Sequence, residues 1–172
     1  VELYETNNNH SAKLCWDFEV VNQKCPGGPA FRATQYICNP IDLAIGVFNL
    51  GSYEASNLQV KFEVSGPGLE GWIDLGYATT FADKTCYCPV HITLPGSFYF
   101  PMTGAYQVRI TADFDGLYTE CAEDNNQLIL PVNVIENADY AVYSQYIAPS
   151  DLNPDLNELV TFNLSYKNEG CN

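Results

Sequence analysis

A tyrosine that opens an alternating strand, and an acidic, amide-rich loop that closes it, constrain this chain more than any other feature. In Gly104-Ala105-Tyr106-Gln107-Val108-Arg109-Ile110, the residues Tyr106, Val108 and Ile110 fall on one face. The loop Glu120-Cys121-Ala122-Glu123-Asp124-Asn125-Asn126 then leads into Gln127–Ile135, where Leu128, Leu130, Val132 and Val134 alternate again. Successive side chains of a strand point to opposite faces, so a period of two marks a strand with one buried face. Strands of this kind must cover their apolar face with a second sheet.

The same period places strands at residues 15–21, 41–48, 57–64, 72–77, 86–94, 105–113 and 127–135. Their inward sets include Ile41, Leu43, Ile45 and Val47, then Leu58, Val60, Phe62 and Val64, and later Cys86, Cys88, Val90, Ile92 and Leu94. Ser65-Gly66-Pro67-Gly68 reads as a turn. No helical pattern competes. The expected fold is all-β, a seven-stranded immunoglobulin-like antiparallel β-sandwich. Tyr106 sits where a tyrosine corner belongs, its ring buried and its hydroxyl tying down a nearby loop.

Part of the pattern recurs. Residues 41–51 and 160–170 both alternate and end in Asn-x-Gly, an offset of 168 − 49 = 119 residues. Upstream, Asp17-Phe18-Glu19-Val20-Val21 matches Asp139-Tyr140-Ala141-Val142-Tyr143, an offset of 139 − 17 = 122. A period near 120 suits a sandwich of about 100 residues plus insertions. The reading divides the chain into a tail or linker from a preceding module (1–13), a complete module (14–136), and the first two strands, A and B, of an incomplete second one (137–172). Two strands do not bury a core. The apolar face of Ile147, Val160, Phe162, Leu164 and Tyr166 is therefore expected to be covered by downstream chain or by another subunit.

Composition narrows the setting. Seven cysteines in 172 residues point to an oxidising compartment, and the Cys-x-x-Cys pairs or neighbouring histidines of a zinc site are missing. A net charge of −14 with seven basic residues repels phosphate backbones, which excludes nucleic acid as a partner, and attracts divalent cations or cationic surfaces. No apolar run approaches the ~20 residues that cross a bilayer, so no membrane insertion is expected. No signal peptide opens the chain. With secretion favoured, Val1 is expected to lie inside a longer precursor.

At this point a resemblance enters. Asp139-Tyr140-Ala141-Val142, Pro149, Asn157-Glu158-Leu159-Val160-Thr161-Phe162 and Asn168-Glu169-Gly170 resemble the opening of the cell-adhesion-related domain found in bacteria, CARDB. Gly104-x-Tyr106-x-Val108, Asp113, and Glu120-x-x-Glu123-x-Asn125-Asn126 resemble its closing half. The resemblance covers most of residues 14–136 and all of 137–172. It implies a seven-stranded sandwich, arranged in tandem in large secreted surface proteins. The cysteines and the long insert at residues 23–39 depart from the family's pattern.

Several groups of residues are candidates for chemistry. Asp113, Asp115, Glu120, Glu123 and Asp124 gather carboxylates with the amides of Asn125 and Asn126, a ligand set that suits calcium. The spacing is not that of an EF-hand. The competing reading, a turn whose Asp and Asn bond their own backbone, is preferred. Asp151 and Asp155 mark a second acidic turn. The cysteines sort by topology: Cys25 and Cys38 are expected to close the insert, while Cys15 and Cys121 divide Cys86 and Cys88 between them. Cys171 is left to pair beyond this segment or with another subunit. Asn9 and Asn163 lie in N-glycosylation sequons, usable in a eukaryotic source. His10 and His91 stand alone, His91 as a solvated side chain, and no Ser–His–Asp set is evident.

The sequence therefore reads as an extracellular structural or adhesive repeat segment of a larger surface or filament-forming protein, stabilised by disulfides. Its expected partners are neighbouring modules or copies of itself, with surface glycans as further candidates. The alternative is a carbohydrate-binding accessory module of a secreted enzyme, which exposed Trp or Tyr side chains in a row would favour. The chain is not expected to be an enzyme.

Overall fold

In the computed structural model, which describes residues 15–84, 88–137 and 140–168, buried and exposed side chains alternate along every long strand of residues 15–136. The strands are β1 (Phe18–Val21), β2 (Thr34–Tyr36), β3 (Ala44–Asn49), β4 (Ala55–Ser65), β5 (Ile73–Ala82), β6 (Val90–Thr93), β7 (Gly104–Ala112) and β8 (Gln127–Ile135). Two more, β9 (Tyr140–Pro149) and β10 (Phe162–Asn168), form a separate antiparallel ribbon. The described residues contain no helix.

The first eight strands make two facing sheets, one in the order β1-β3-β6 and one in the order β2-β8-β7-β4-β5. Phe18, Val20, Ile45, Val47 and Ile92 point inward from the short sheet. Leu58, Val60, Phe62, Val64, Tyr106, Val108, Ile110, Val132 and Val134 meet them from the long one. Each fully buried side chain of this size contributes about 1.5–3 kcal/mol by leaving water. The fold is the expected sandwich, but with eight strands rather than seven.

The additional strand, β2, lies in the insert and pairs parallel with the end of β8 (Thr34↔Asn133 to Tyr36↔Ile135). The insert was expected to close on itself at one end of the sandwich. Instead it crosses the outer face of the short sheet. Gly46 permits the crossing: a Cβ there would run into the Gln23 carbonyl and lie 2.8 Å from the Pro89 ring. Several expected strands have different extents: those at 15–21 and 41–48 begin only at Phe18 and Ala44. The strand at 72–77 continues to Ala82, and the strand at 86–94 is regular only over Val90–Thr93, with Cys86 outside the described residues.

Strand order gives the module two poles. The chain comes in at the proximal pole, beside the turn after β3 and the loop between β7 and β8. It leaves β8 at the distal pole, where Val134 pairs with Gly104. At the proximal pole the Asn-x-Gly signature has a physical basis. Asn49 Oδ1 accepts the Gly51 N–H (3.1 Å), and its Nδ2 donates to the carbonyls of Tyr53 (2.8 Å) and Ala82 (3.0 Å). A side chain at Gly51 would meet the backbone of Cys15 and Asp17.

The ribbon pairs Tyr140 with Asn168 at one end and Phe162 with Pro149 at the other. Its connection is held by local bonds: Asp151 Oδ1 accepts the Asn153 N–H (2.8 Å) and Glu158 Oε2 the Asp155 N–H (2.9 Å). Ile147, Phe162, Leu164 and Tyr166 are exposed. No other described residue buries that face.

Tyr106 forms the corner expected of it. Its ring is buried against Phe100, with centroids 4.6 Å apart, and burial pushes its phenol pKa up. The hydroxyl lies 2.7 Å from the Pro67 carbonyl and 2.9 Å from that of Met102, and accepts the Met102 N–H at 3.3 Å. Gly66 leaves room for the ring, since a Cβ there would strike it. Tyr106→Phe keeps the packing and strands these backbone groups. Urea unfolding should show a loss of about 1–3 kcal/mol with an unchanged m value; an unchanged midpoint would mean that the hydroxyl ties down nothing.

Candidate functional site

The acidic loop between β7 and β8 is the one place where buried carboxylates gather among the described residues. Asp113 follows β7 in a left-handed conformation (φ 48°), which Asp tolerates better than most residues. Its carboxylate accepts the N–H groups of Leu117 and Tyr118, each at 3.0 Å. Burial raises its pKa, and these two bonds oppose the rise.

Trp16 and Glu120 form a parallel bridge, and the Cys121 N–H donates to the Trp16 carbonyl at 2.9 Å. Glu120 Oε2 accepts the Phe18 N–H at 2.8 Å, and Oε1 accepts Asn126 Nδ2 at 3.3 Å. A carboxylate thus completes the hydrogen bonding of β1. Asn125 adds two more ties: its carbonyl accepts the Val20 N–H (3.2 Å) and its Nδ2 donates to Asp17 (2.8 Å). Burial, reinforced by Glu123 and Asp113, pushes the Glu120 carboxyl up to about 7.

The five carboxylates proposed for calcium are therefore deployed unequally. Asp113 and Glu120 hold backbone N–H groups, Glu123 accepts Asn126 Nδ2 at 3.4 Å, and Asp115 and Asp124 are exposed. Among the described residues no group of three or more His, Cys, Asp or Glu side chains is arranged to hold a metal ion.

Two disulfides correct the expected pairing. Cys15 joins Cys121 (Cα–Cα 5.7 Å), so these two do not divide Cys86 and Cys88 between them. Cys25 joins Cys88 (Cα–Cα 5.7 Å), not Cys38. The insert's path is the reason: crossing the short sheet brings Cys25 to the start of β6. There its N–H donates to His91 Nε2 at 3.2 Å, so His91 is an acceptor rather than a merely solvated ring. Cys38 is also disulfide-bonded. Cys86 and Cys171 lie outside the described residues, as does Asn9. Asn163 is exposed on β10.

The outer face of the long sheet was not singled out by sequence. Glu63 and Arg109 are cross-strand neighbours joined at 2.7 Å, and the Arg109 guanidinium holds the Glu63 carboxyl below its usual range. Arg109 also lies over the Trp72 ring, 4.3 Å from its centroid. Tyr77 packs on Phe114 at 5.7 Å, and Lys61 lies 5.8 Å from the Phe114 ring. The second tryptophan, Trp16, is at the proximal pole, packed on Tyr53 and Tyr118 and donating to the Glu54 carbonyl at 3.1 Å. The tryptophans do not form a row. An open groove of about 470 Å³ beside β2 is lined by Arg32 and Tyr36, and by Asn22, which is committed to the backbone of Phe31.

No protein-family model matches the chain, and no curated protein matches it. Among solved structures it is similar to the CARDB domain of a Pyrococcus furiosus protein, in a crystal structure with di-metal ions. The TM-score is 0.56 at 16% identity, covering 78% of this chain and 100% of that one. A solution structure of the same domain gives a TM-score of 0.52 at 18% identity, covering 70% and 96%. At these identities the likeness is one of fold, and it is the fold the sequence resemblance implied.

The Glu120 geometry sets a pH dependence. The folded chain keeps the Glu120 proton up to about pH 7, and the unfolded chain only to about 4.5. Stability from this group is complete below pH 4.5 and is lost as pH rises through 7. Glu120→Gln retains an acceptor for the Phe18 N–H and cannot ionise. Between pH 4.5 and 7.5 wild type should lose on the order of 1 kcal/mol relative to this variant, discounted for the carboxyl's partial exposure. Parallel stability curves for the two proteins would show that Glu120 does not titrate in this way.

Proposed function

We propose that this chain is an extracellular structural or adhesive segment, in which disulfide-pinned sandwich modules follow one another in series within a surface or filament-forming protein. The observation that carries the reading is a coincidence of register. In the complete module Phe18 lies opposite Asn49, Glu19 opposite Phe48 and Val20 opposite Val47. In the ribbon Tyr140 lies opposite Asn168, Ala141 opposite Lys167 and Val142 opposite Tyr166. The two sequence offsets, 122 and 119, were set by separate strand matches. The pairing relates the same positions. This supports reading the ribbon as the β1–β3 counterpart of a second sandwich, with Asn168-Glu169-Gly170 repeating the signature of the proximal pole.

Two further features support a serial arrangement. The chain comes in and leaves at opposite poles, as modules threaded in a line require. The fold is that of CARDB domains. The disulfides support an oxidising, secreted setting. The role is mechanical and adhesive rather than catalytic, with neighbouring modules, other copies and surface glycans as partners.

Avidity is the test. A fragment of residues 14–136 should fold and bind little, because one module offers a small polar surface. Several modules in series should assemble or adhere with a gain of about 10²–10⁴ over one. Tight binding of a small sugar by the single module would instead establish the carbohydrate-binding alternative. Hydrolysis of a glycan by it would overturn both.

A further inference from the structure

Among the described residues, strand β5 is the last strand of the long sheet and pairs with β4 alone. An edge strand presents a row of backbone donors and acceptors that can pair with another chain, and proteins usually blunt such edges. The first part of β5 is blunted. Leu75 is an extra residue against β4, Asp74 caps the Gly76 N–H at 2.8 Å, and Gly76 has a φ of 106°. From Tyr77 to Thr80 the strand pairs with β4 residue for residue, the next irregularity lying on the β4 side between Ala55 and Leu58, and Tyr77 to Ala82 carry no charge and no proline.

Its pattern is inverted relative to the other strands. Small side chains, Ala78 and Ala82, face the core, while Tyr77 (53% exposed) and Phe81 (50% exposed) face solvent. Phe114, 38% exposed, extends this patch beside Tyr77. Elsewhere the surface is acidic, in a chain of net charge −14, so most approaches of two copies bring carboxylates together. This edge is a place where two copies can meet without doing so.

We propose that β5 pairs antiparallel with β5 of a second copy about a two-fold axis at Thr79, joining two five-stranded sheets into one. The register is self-complementary. An axis at Thr79 sets Tyr77 opposite Phe81 of the second copy, twice, on the outer face. Aromatic cross-strand pairs of this kind stabilise antiparallel sheets. Asp74 is paired within its own copy, to Lys61 at 3.2 Å, so the contact rests on the uncharged stretch from Tyr77 to Phe81. Other free edges are poorer templates: β2 has three residues, β6 has four, and the β9–β10 ribbon is a two-stranded sheet. A contact of this length is at the small end for stable association, so the dimer is a weak, concentration-dependent one. The pairing is lateral and does not rest on the serial reading.

Sedimentation equilibrium of the full 172-residue chain tests it. The apparent mass should rise toward twice the chain mass with concentration. Thr79→Lys places like charges at the axis on an exposed position and should keep the protein monomeric with an unchanged circular dichroism spectrum. Phe81→Lys, at an exposed position opposite Tyr77 of the second copy, should weaken association at least several-fold. A wild-type chain that stays monomeric to millimolar concentration overturns the proposal. So does a folded Thr79→Lys protein that associates like wild type. In that case loss of association on Leu164→Asp would assign the contact to the β9–β10 ribbon. Should Thr79→Lys not fold, Phe81→Lys decides alone, and association of that variant like wild type counts against the register.

Discussion

The pairing of β4 with β7 is the constraint on which the rest of the module depends. Val60 lies opposite Ala112, Phe62 opposite Ile110 and Val64 opposite Val108, and all six side chains are buried. A slip of one residue would turn the whole inward set of one strand to water, so the register is fixed by burial. That register then places the special residues at both ends. At the distal end it sets Tyr106 beyond Val108, within reach of the turn that follows β4. At the proximal end it sets Asp113 just past the last paired residue, where its N–H still reaches the Gln59 carbonyl at 2.9 Å. The left-handed step at Asp113 and the acidic loop begin from there.

The short sheet has less to hold it. Strand β1 is four residues long and pairs only with β3. Its other edge is completed by groups that are not a strand: the Glu120 carboxylate, the Asn125 carbonyl, and the Cys15–Cys121 bond beside them. The Phe18 N–H favours the ionised form of Glu120, but desolvation outweighs it and raises the carboxyl's pKa. The insert treats the other end of β8 differently, laying β2 alongside it. Pro131, which has no N–H to offer, lies in the part of β8 that β2 does not flank.

What the sequence made legible follows the same physics. β4, β7 and β8 were readable because one face of each is buried and the period of two survives in the residues. Tyr106 was readable because a ring at that position has a geometric job. β5 was read too short because its periodicity is inverted: Tyr77, Thr79 and Phe81 face out while Ala78 and Ala82 face in, so hydrophobicity alone does not mark the buried side. β2 is too short to show a period. The disulfide pairing was misread because it depends on where the insert travels, and Gly46, the residue that opens that path, looks in sequence like any glycine in a strand. Glu120 was a candidate calcium ligand beside the preferred reading of a self-bonded turn; sequence shows its carboxylate but not the Phe18 N–H it accepts.

The proximal disulfide also decides how the module would carry load. Tension applied between residue 15 and residue 135 has a covalent shortcut. It passes from Cys15 to Cys121 and then along β8 to the distal pole. The 105 residues between the two cysteines, including β1 and the whole β4–β7 pairing, lie outside that path (121 − 15 − 1 = 105). Without the bond, the same tension would have to be borne by hydrogen bonds and packing. The 120 steps from residue 15 to 135 could then extend to roughly 400 Å at about 3.3–3.6 Å each. With it, only the 14 steps from residue 121 to 135 can lengthen, about 50 Å at most, and β8 is already extended over nine residues of them. The bond therefore does two things at once. It holds the edge of β1 against the loop, and under tension between residues 15 and 135 it would confine extension to the stretch from residue 121 onward.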